Sequence, residues 1–207
     1  MTPRTLALSV GVMIALSGIQ PADRFTWWLE VFPAIALVLY IIVQRRLSIT
    51  PLSANLLALW ALILCIGAHY TYAEVPLFNW LKESFSLSRN YYDRVGHLAQ
   101  GFIPAILFRE YLLKRSTPGE GSLLFFLCSC FALALSASYE LLEWWVSVAT
   151  HHFTGEGATA FLGTQGDVWD TQWDMFCALI GSVVSQLTLS STLAKQVAVT
   201  FPDFLDT

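Results

Sequence analysis

The sequence predicts an all-α protein, a polytopic membrane bundle of about six transmembrane helices forming one domain over residues 1–207, and three observations predict it. Apolar residues make up 56% of the chain and charged ones 13%, with a mean hydropathy of +0.58, values foreign to a soluble globule. Apolar windows of about 18 to 25 residues, the length that crosses a hydrocarbon layer, recur along the chain. The short connections after the second and fourth windows are punctuated by Pro, Gly, Ser or Thr, as helix hairpins require.

The windows fall at residues 5–22, 29–44, 54–73, 95–113, 122–148 and 170–192. The first has a charged start at Arg4, as a signal peptide would, but no small-x-small cleavage site precedes Pro21-Ala-Asp-Arg24, so it reads as an uncleaved first helix. The outer loops over 74–92 and 149–169 are longer and include Gly155-Glu-Gly157 and Gly163-Thr-Gln-Gly166, which makes them the expected place for function. The tail beyond Gln196 reads as a loose end. Cys65, Cys128, Cys130 and Cys177 all lie in apolar segments and read as small buried hydrophobes, not as a disulfide frame or zinc site.

Orientation follows from lysine and arginine. With six spans, one side carries Arg4, Arg45, Arg46, Arg109, Lys114, Arg115 and Lys195, and the other Arg24, Lys82, Arg89 and Arg94. The richer side is expected to be cytoplasmic and holds both termini. Trp27, Trp28, Trp80, Trp144, Trp145, Trp169 and Trp173 fall near helix ends on the poorer side, where an aromatic belt would mark the outer interface. The net charge of −4 and the lack of a basic run exclude nucleic acid as a partner. The partner the sequence does imply is the lipid bilayer.

The chemistry concentrates in three stretches. Asp93 and His97, Glu140 and Glu143, and Asp170 and Asp174 are each spaced three or four residues apart, so each pair shares one helix face. The fourth and sixth windows begin, and the fifth ends, on the same side, so the three pairs are expected at one membrane depth. Asp167 and Asp170 also suit a helix N-terminus, where the macrodipole favours acids. His97, Glu140, Glu143 and Asp174 lie deeper in apolar sequence, where a carboxylate costs several kcal/mol unless paired, protonated or hydrated.

Arg89, Arg94, His97 and His69 can compensate only some of these acids. The surplus leaves three readings open: a divalent cation among the carboxylates, protons shared between them, or polar glue between helices. For a cation, the expected direct ligands are Asp93, His97, Glu140 and Asp174. Glu143 and Asp170 are the candidates for a catalytic role, and His69, Glu74, Arg94, Asp167 and Gln100 for supporting or substrate-facing ones. His151-His152 reads as solvent-facing, and Tyr70, Tyr72, Tyr91, Tyr92 and Tyr139 as interface anchors with free hydroxyls.

Asn90-Tyr-Tyr-Asp-Arg-Val-Gly-His-Leu-Ala-Gln-Gly101, Tyr139-Glu-Leu-Leu-Glu-Trp-Trp145 and Phe161-Leu-Gly-Thr-Gln-Gly-Asp-Val-Trp-Asp-Thr-Gln-Trp-Asp174 resemble the signatures of the YjdF-type bacterial inner-membrane proteins, a family of unknown function. The likeness covers nearly the whole chain and implies a location in the bacterial inner membrane. More distantly, Asp93-x-x-x-His97, the acidic pair on the fifth window and Asp170-x-x-x-Asp174 before Gly181 resemble the pattern of VanZ-like membrane proteins. This chain departs from that pattern with Glu143 in place of a Gln and Asp174 in place of an Asn.

Three functions fit these residues. One is an outer-face pocket that binds, or acts as hydrolase or transferase on, a lipid or lipid-linked headgroup. Another is a non-enzymatic accessory protein of the envelope-stress or resistance type. The third is a small transporter, for which the inner half of the last three windows offers only Arg109, Glu110 and Gln186.

Overall fold

The computed structural model describes residues 2–44, 48–115, 119–155 and 159–202. Arg45, Arg46, Gly157 and the tail from Asp203 lie outside them. Among the described residues the chain forms eight helices: α1 (Pro3–Ser17), α2 (Arg24–Gln44), α3 (Pro51–His69), α4 (Pro76–Ser84), α5 (Tyr92–Leu113), α6 (Ser122–Thr154), α7 (Thr159–Leu162) and α8 (Asp170–Thr200). The six expected windows correspond to α1, α2, α3, α5, α6 and α8. Four of these, α2, α3, α6 and α8, are long and apolar enough to cross a membrane by length and composition. With 15 residues, α1 is only about 22 Å long. The 22 residues of α5 suffice in length, but they include Asp93, Arg94, Arg109 and Glu110.

Local chemistry sets the helix ends. Thr2 and Thr50 cap α1 and α3 by accepting from Thr5 N and Ser53 N, and a proline follows each cap, where its missing N–H costs nothing. Asp23 does the same for α2, accepting from Thr26 N at 2.6 Å. Gly155 ends α6 in the left-handed region at φ 78°, the backbone glycine adopts most readily. Several boundaries differ from those expected: α2 begins at Arg24, behind its Asp23 cap, α6 runs on to Thr154, where Gly155 ends it, α3 ends at His69 and α8 runs on to Thr200.

The helices pack as two groups, α1–α2–α3 and α5–α6–α8, joined where α3 lies on α5. The closest pair is α5 and α8. A Cβ on Gly101 would collide with the Ala178 carbonyl, and one on Gly181 with the Leu98 carbonyl, so the two backbones meet where only glycine fits. Tyr72 inserts its ring between α3 and α5, where a Cβ on Gly67 would collide with it and one on Gly96 would lie 2.8 Å from it. Leu6, Val10, Val31 and Ala61 fill the first group, and Ile103, Ile106 and Leu193 the second.

Burial is inverted relative to a soluble protein. Phe32, Leu39, Ile42, Phe126, Val184 and Leu187 are exposed, while Arg89, Asp93, His97, Glu110, Glu140 and Asp174 are buried. That pattern fits an all-helical polytopic membrane bundle with lipid as the solvent of its flanks. Of the four cysteines, Cys65 and Cys128 are buried as expected, but Cys130 is exposed and Cys177 is intermediate.

At the end opposite the acidic stretches, Glu110 closes the bundle. It is 1% exposed and accepts from Thr50 N at 3.0 Å, Thr50 Oγ1 at 2.7 Å, Lys114 Nζ at 3.0 Å and Ser53 Oγ. A carboxylate is favoured there because the N-terminus of α3 points its free amides at it. Gln196 Oε1 accepts from Leu52 N at 2.9 Å, and Gln186 Nε2 donates to Phe125 O and Ser129 Oγ at 3.2 and 3.1 Å.

Candidate functional site

The turn before α8 and the residues before α5 hold each other by side chains. Asn90 is fully buried, and its Nδ2 donates to Val75 O at 3.1 Å and Asn79 Oδ1 at 2.8 Å. Gln165 reads the Asn90 backbone twice, accepting from its N–H and donating to its carbonyl, both at 2.9 Å. Gly163 and Gly166, with φ of 62° and 86°, turn the chain so that the carbonyls of Gly163 and Thr164 accept from Arg89 Nη2 and Nη1 at 2.9 and 3.3 Å.

Two guanidinium groups occupy the space this turn encloses. Arg89 pairs with Asp170, with Asp93 at 3.4 Å and with Asp167 at 3.7 Å. Arg94 pairs with Asp174, with Asp170 at 2.6 Å, Asp167 at 3.3 Å and Asp93 at 3.4 Å. Each arginine offers five donors in a planar fork, which suits it to several carboxylates at once. The spacing of Asp170 and Asp174 puts both acids on the α8 face that meets them. Asp170, a candidate catalytic residue from sequence, is engaged by both arginines.

Beyond the arginines, and deeper in the bundle, His97 stands among three carboxylates. Its Nε2 lies 3.5 Å from Asp93 Oδ1, 3.6 Å from Glu140 Oε1 and 3.7 Å from Asp174 Oδ1, three oxygens from three helices. Its Nδ1 is 2.9 Å from Gln100 Oε1. That oxygen can only accept, so Nδ1 carries a hydrogen and Nε2 faces the carboxylates. Glu140 Oε1 is buried without a hydrogen-bond partner. Asp93, His97 and Asp174 each offer a ligand atom within 4.8 Å of the others.

The structure thus brings together Asp93, His97, Glu140 and Asp174, with Gln100, Arg94 and Asp167 around them. Two of the expected supporting residues are elsewhere. His69 Nδ1 is 2.8 Å from Ser17 O, because the end of α3 abuts the end of α1, and Glu74 is exposed and accepts from Asn79 Nδ2 at 3.0 Å. The tyrosine hydroxyls also depart from expectation. Tyr92 Oη donates to Ile63 O at 2.9 Å and Tyr139 Oη to Glu30 Oε2 at 3.4 Å, so neither is a free interface anchor. His151 and His152 are exposed.

Glu143 lies on the cavity side of the site, with Glu30 across from it. Both line a cavity of about 150 Å³ that Asp93, His97 and Gln100 also border. Sequence reasoning missed Glu30, which is 5% exposed. It is the one acid in the otherwise apolar α2, and that cost of burial was the available signal.

Comparison with known proteins agrees with the membrane architecture. Residues 2–195 match the family described as "Predicted membrane protein (DUF2238)". The chain is 44% identical over 194 residues to the inner membrane protein YjdF of Escherichia coli (strain K12), covering 93% of this chain and 91% of that protein. Neither match names a VanZ-like protein. No solved structure matches.

Proposed function

We propose that this chain, which belongs to the DUF2238 family of membrane proteins, holds a divalent cation among α5, α6 and α8 and uses it to bind a lipid or lipid-linked headgroup at the outer face of the bacterial inner membrane. The observation that carries the reading is the placement of His97 Nε2 at 3.5–3.7 Å from three carboxylate oxygens. In a tetrahedral site with bonds of about 2.1 Å, neighbouring ligand atoms are roughly 3.4 Å apart. Three of the six edges of such a tetrahedron, those from Nε2, therefore stand within about 0.3 Å of that length, and the ligand atoms of Asp93, His97 and Asp174 lie within 4.8 Å of one another.

The hydrogen bonding supports the same ion. Gln100 fixes the imidazole so that Nε2 is the coordinating nitrogen, the usual arrangement around a metal-bound histidine. The unpaired Glu140 Oε1 gains a partner. Charge agrees as well, since Asp93, Asp167, Asp170, Asp174, Glu140 and Glu143 meet only Arg89 and Arg94, and a divalent ion halves the surplus. One imidazole with three carboxylates suits zinc, manganese or iron. Four protein ligands close a tetrahedral centre, as in structural sites, which favours holding a headgroup over hydrolysing it. A headgroup oxygen would enter as a fifth ligand from the cavity side, where Glu143 lies.

For topology, the proposal is six crossings with both termini cytoplasmic. Arg109, Lys114 and Lys195 belong to the end closed by Glu110, and the tryptophans Trp27, Trp28, Trp144, Trp169 and Trp173 to the end that carries the acids. Reporter fusions at Thr207 and within residues 149–155 test this and should report opposite sides; reports from one side overturn it. The cation is tested by elemental analysis of purified protein. Bound metal lost from Glu140→Gln supports the site, and metal-free protein indifferent to chelators removes it.

A further inference from the structure

The cavity beside the proposed cation site lies where α2 and α6 are not packed directly on each other. Its lining comes from α2, α3, the turn after α3 that carries Tyr72, α5 and α6; α2 packs on α3, α3 on α5 and α5 on α6, whereas α2 and α6 are bridged by the short α7, which packs on both. Across the cavity, Tyr139 Oη of α6 donates to Glu30 Oε2 of α2 at 3.4 Å.

Two features of the lining define an occupant. Glu30 and Glu143 are 5% and 7% exposed, and no lysine or arginine lines the cavity. Arg89 and Arg94 are spent on the aspartates. Among the described residues, no hydrogen bond or ion pair reaches Glu143, and Glu30 has only the long bond from Tyr139. A buried carboxylate without a counter-charge takes up either a proton or a cation, and the aromatic lining selects the second. Around these acids stand Trp60, Tyr72 and Tyr139, whose ring faces attract organic cations.

We propose that this cleft binds a primary ammonium group carried by a lipid headgroup. A primary ammonium is favoured over a quaternary one because the carboxylate oxygens of Glu143 and Glu30 need N–H donors, which a quaternary nitrogen lacks. Size agrees, since a cavity of about 150 Å³ is one that admits a benzene-sized guest, larger than an aminoethyl group. Depth agrees too. Glu30 is the seventh residue of α2, about 9 Å along the axis from its first residue, near the boundary of headgroup and hydrocarbon. The inference goes beyond the cation centre and does not require it, because Glu30 and Glu143 are not among that centre's ligands.

The test uses the full chain, purified in a detergent free of amines and treated with chelator. Ethylammonium chloride should raise its melting temperature, while tetramethylammonium chloride and sodium chloride at the same concentration should not. Glu143→Gln and Glu30→Gln should each weaken ethylammonium binding by about tenfold to a hundredfold, the loss of one charge-assisted hydrogen bond, and leave bound metal in untreated protein unchanged. In nanodiscs of an aminoethyl phospholipid, added ethylammonium should have no further effect, whereas in choline phospholipid it should still stabilise. Equal responses to ethylammonium and tetramethylammonium, or none to either, overturn the ammonium site. A response indifferent to lipid species overturns the lipid source. Untreated parent protein that is free of metal but still stabilised by ethylammonium would strike the cation centre alone.

Discussion

Replacing Arg94 with Leu removes the cation that four aspartates share. Its guanidinium pairs with Asp174, with Asp170 at 2.6 Å, with Asp167 at 3.3 Å and with Asp93 at 3.4 Å, and its side chain is 11% exposed. The side chains of Asp170 and Asp174 are 7% and 3% exposed, so water cannot replace the lost partner. Removing one member of a buried ion pair costs about 3–5 kcal/mol, which in a chain of this size is a fall in melting temperature of roughly 6–20 °C. The decrease can be read by heating the purified protein in detergent and following the far-ultraviolet helical signal. With every sample stripped of metal by chelator, Arg94→Leu combined with Asp174→Leu should recover most of it, because the second change removes a charge the first left stranded. A single variant that melts within about 2 °C of the parent, or a double variant less stable than either single one, would refute the reasoning that Arg94 compensates these acids.

Other consequences are local. Gly101→Leu should separate α5 from α8, since its Cβ would fall on the Ala178 carbonyl, and limited proteolysis should become faster. The same change at the open Gly119, with nothing within 4 Å of its Cβ, should leave the rate unaltered. Glu110→Ala should destabilise the end opposite the site by about 1–3 kcal/mol, because Thr50 N–H and the Thr50 and Ser53 hydroxyls lose a buried acceptor, while bound metal stays as in the parent. Asp23→Ala should cost about 1 kcal/mol in thermal melts at neutral pH. The Thr26 backbone N–H holds the Asp23 carboxyl below its ordinary range. Its contribution is therefore complete above the unfolded value and lost as pH falls through the lower folded one, so parent and variant should converge in acid.

How much of this the sequence discloses depends on whether a residue's partner lies on its own helix. Asp93 with His97, Glu140 with Glu143, and Asp170 with Asp174 are legible because a spacing of three or four fixes a common face. Their meeting follows from three long helices whose ends alternate. Glu30 has no such companion, and its role depends on α2 and α6 failing to pack. His69 follows the opposite logic: its sequence neighbours suggest the site, yet the end of α3 turns it to Ser17 O. Arg89 could be placed near the acids from sequence, but its position among them is set by the carbonyls of Gly163 and Thr164, whose turn has no periodicity to read. Helices α4 and α7, of 9 and 4 residues, are too short to stand out from loops, and α5 falls short as an apolar span because charges at both its ends, Asp93 and Arg94 at the site and Arg109 and Glu110 opposite it, dilute it.

The most direct test of the central claim is the metal content of the chain after purification in detergent, measured by mass spectrometry of the elements for the parent and for Glu140→Gln. About one zinc, manganese or iron ion per chain in the parent, a strong reduction in the variant, and a melting temperature that a chelator lowers only in the parent are the predicted results. A parent free of metal, unaffected by chelator and less stable than Glu140→Gln would contradict the cation centre and show that His97 and the carboxylates share protons instead.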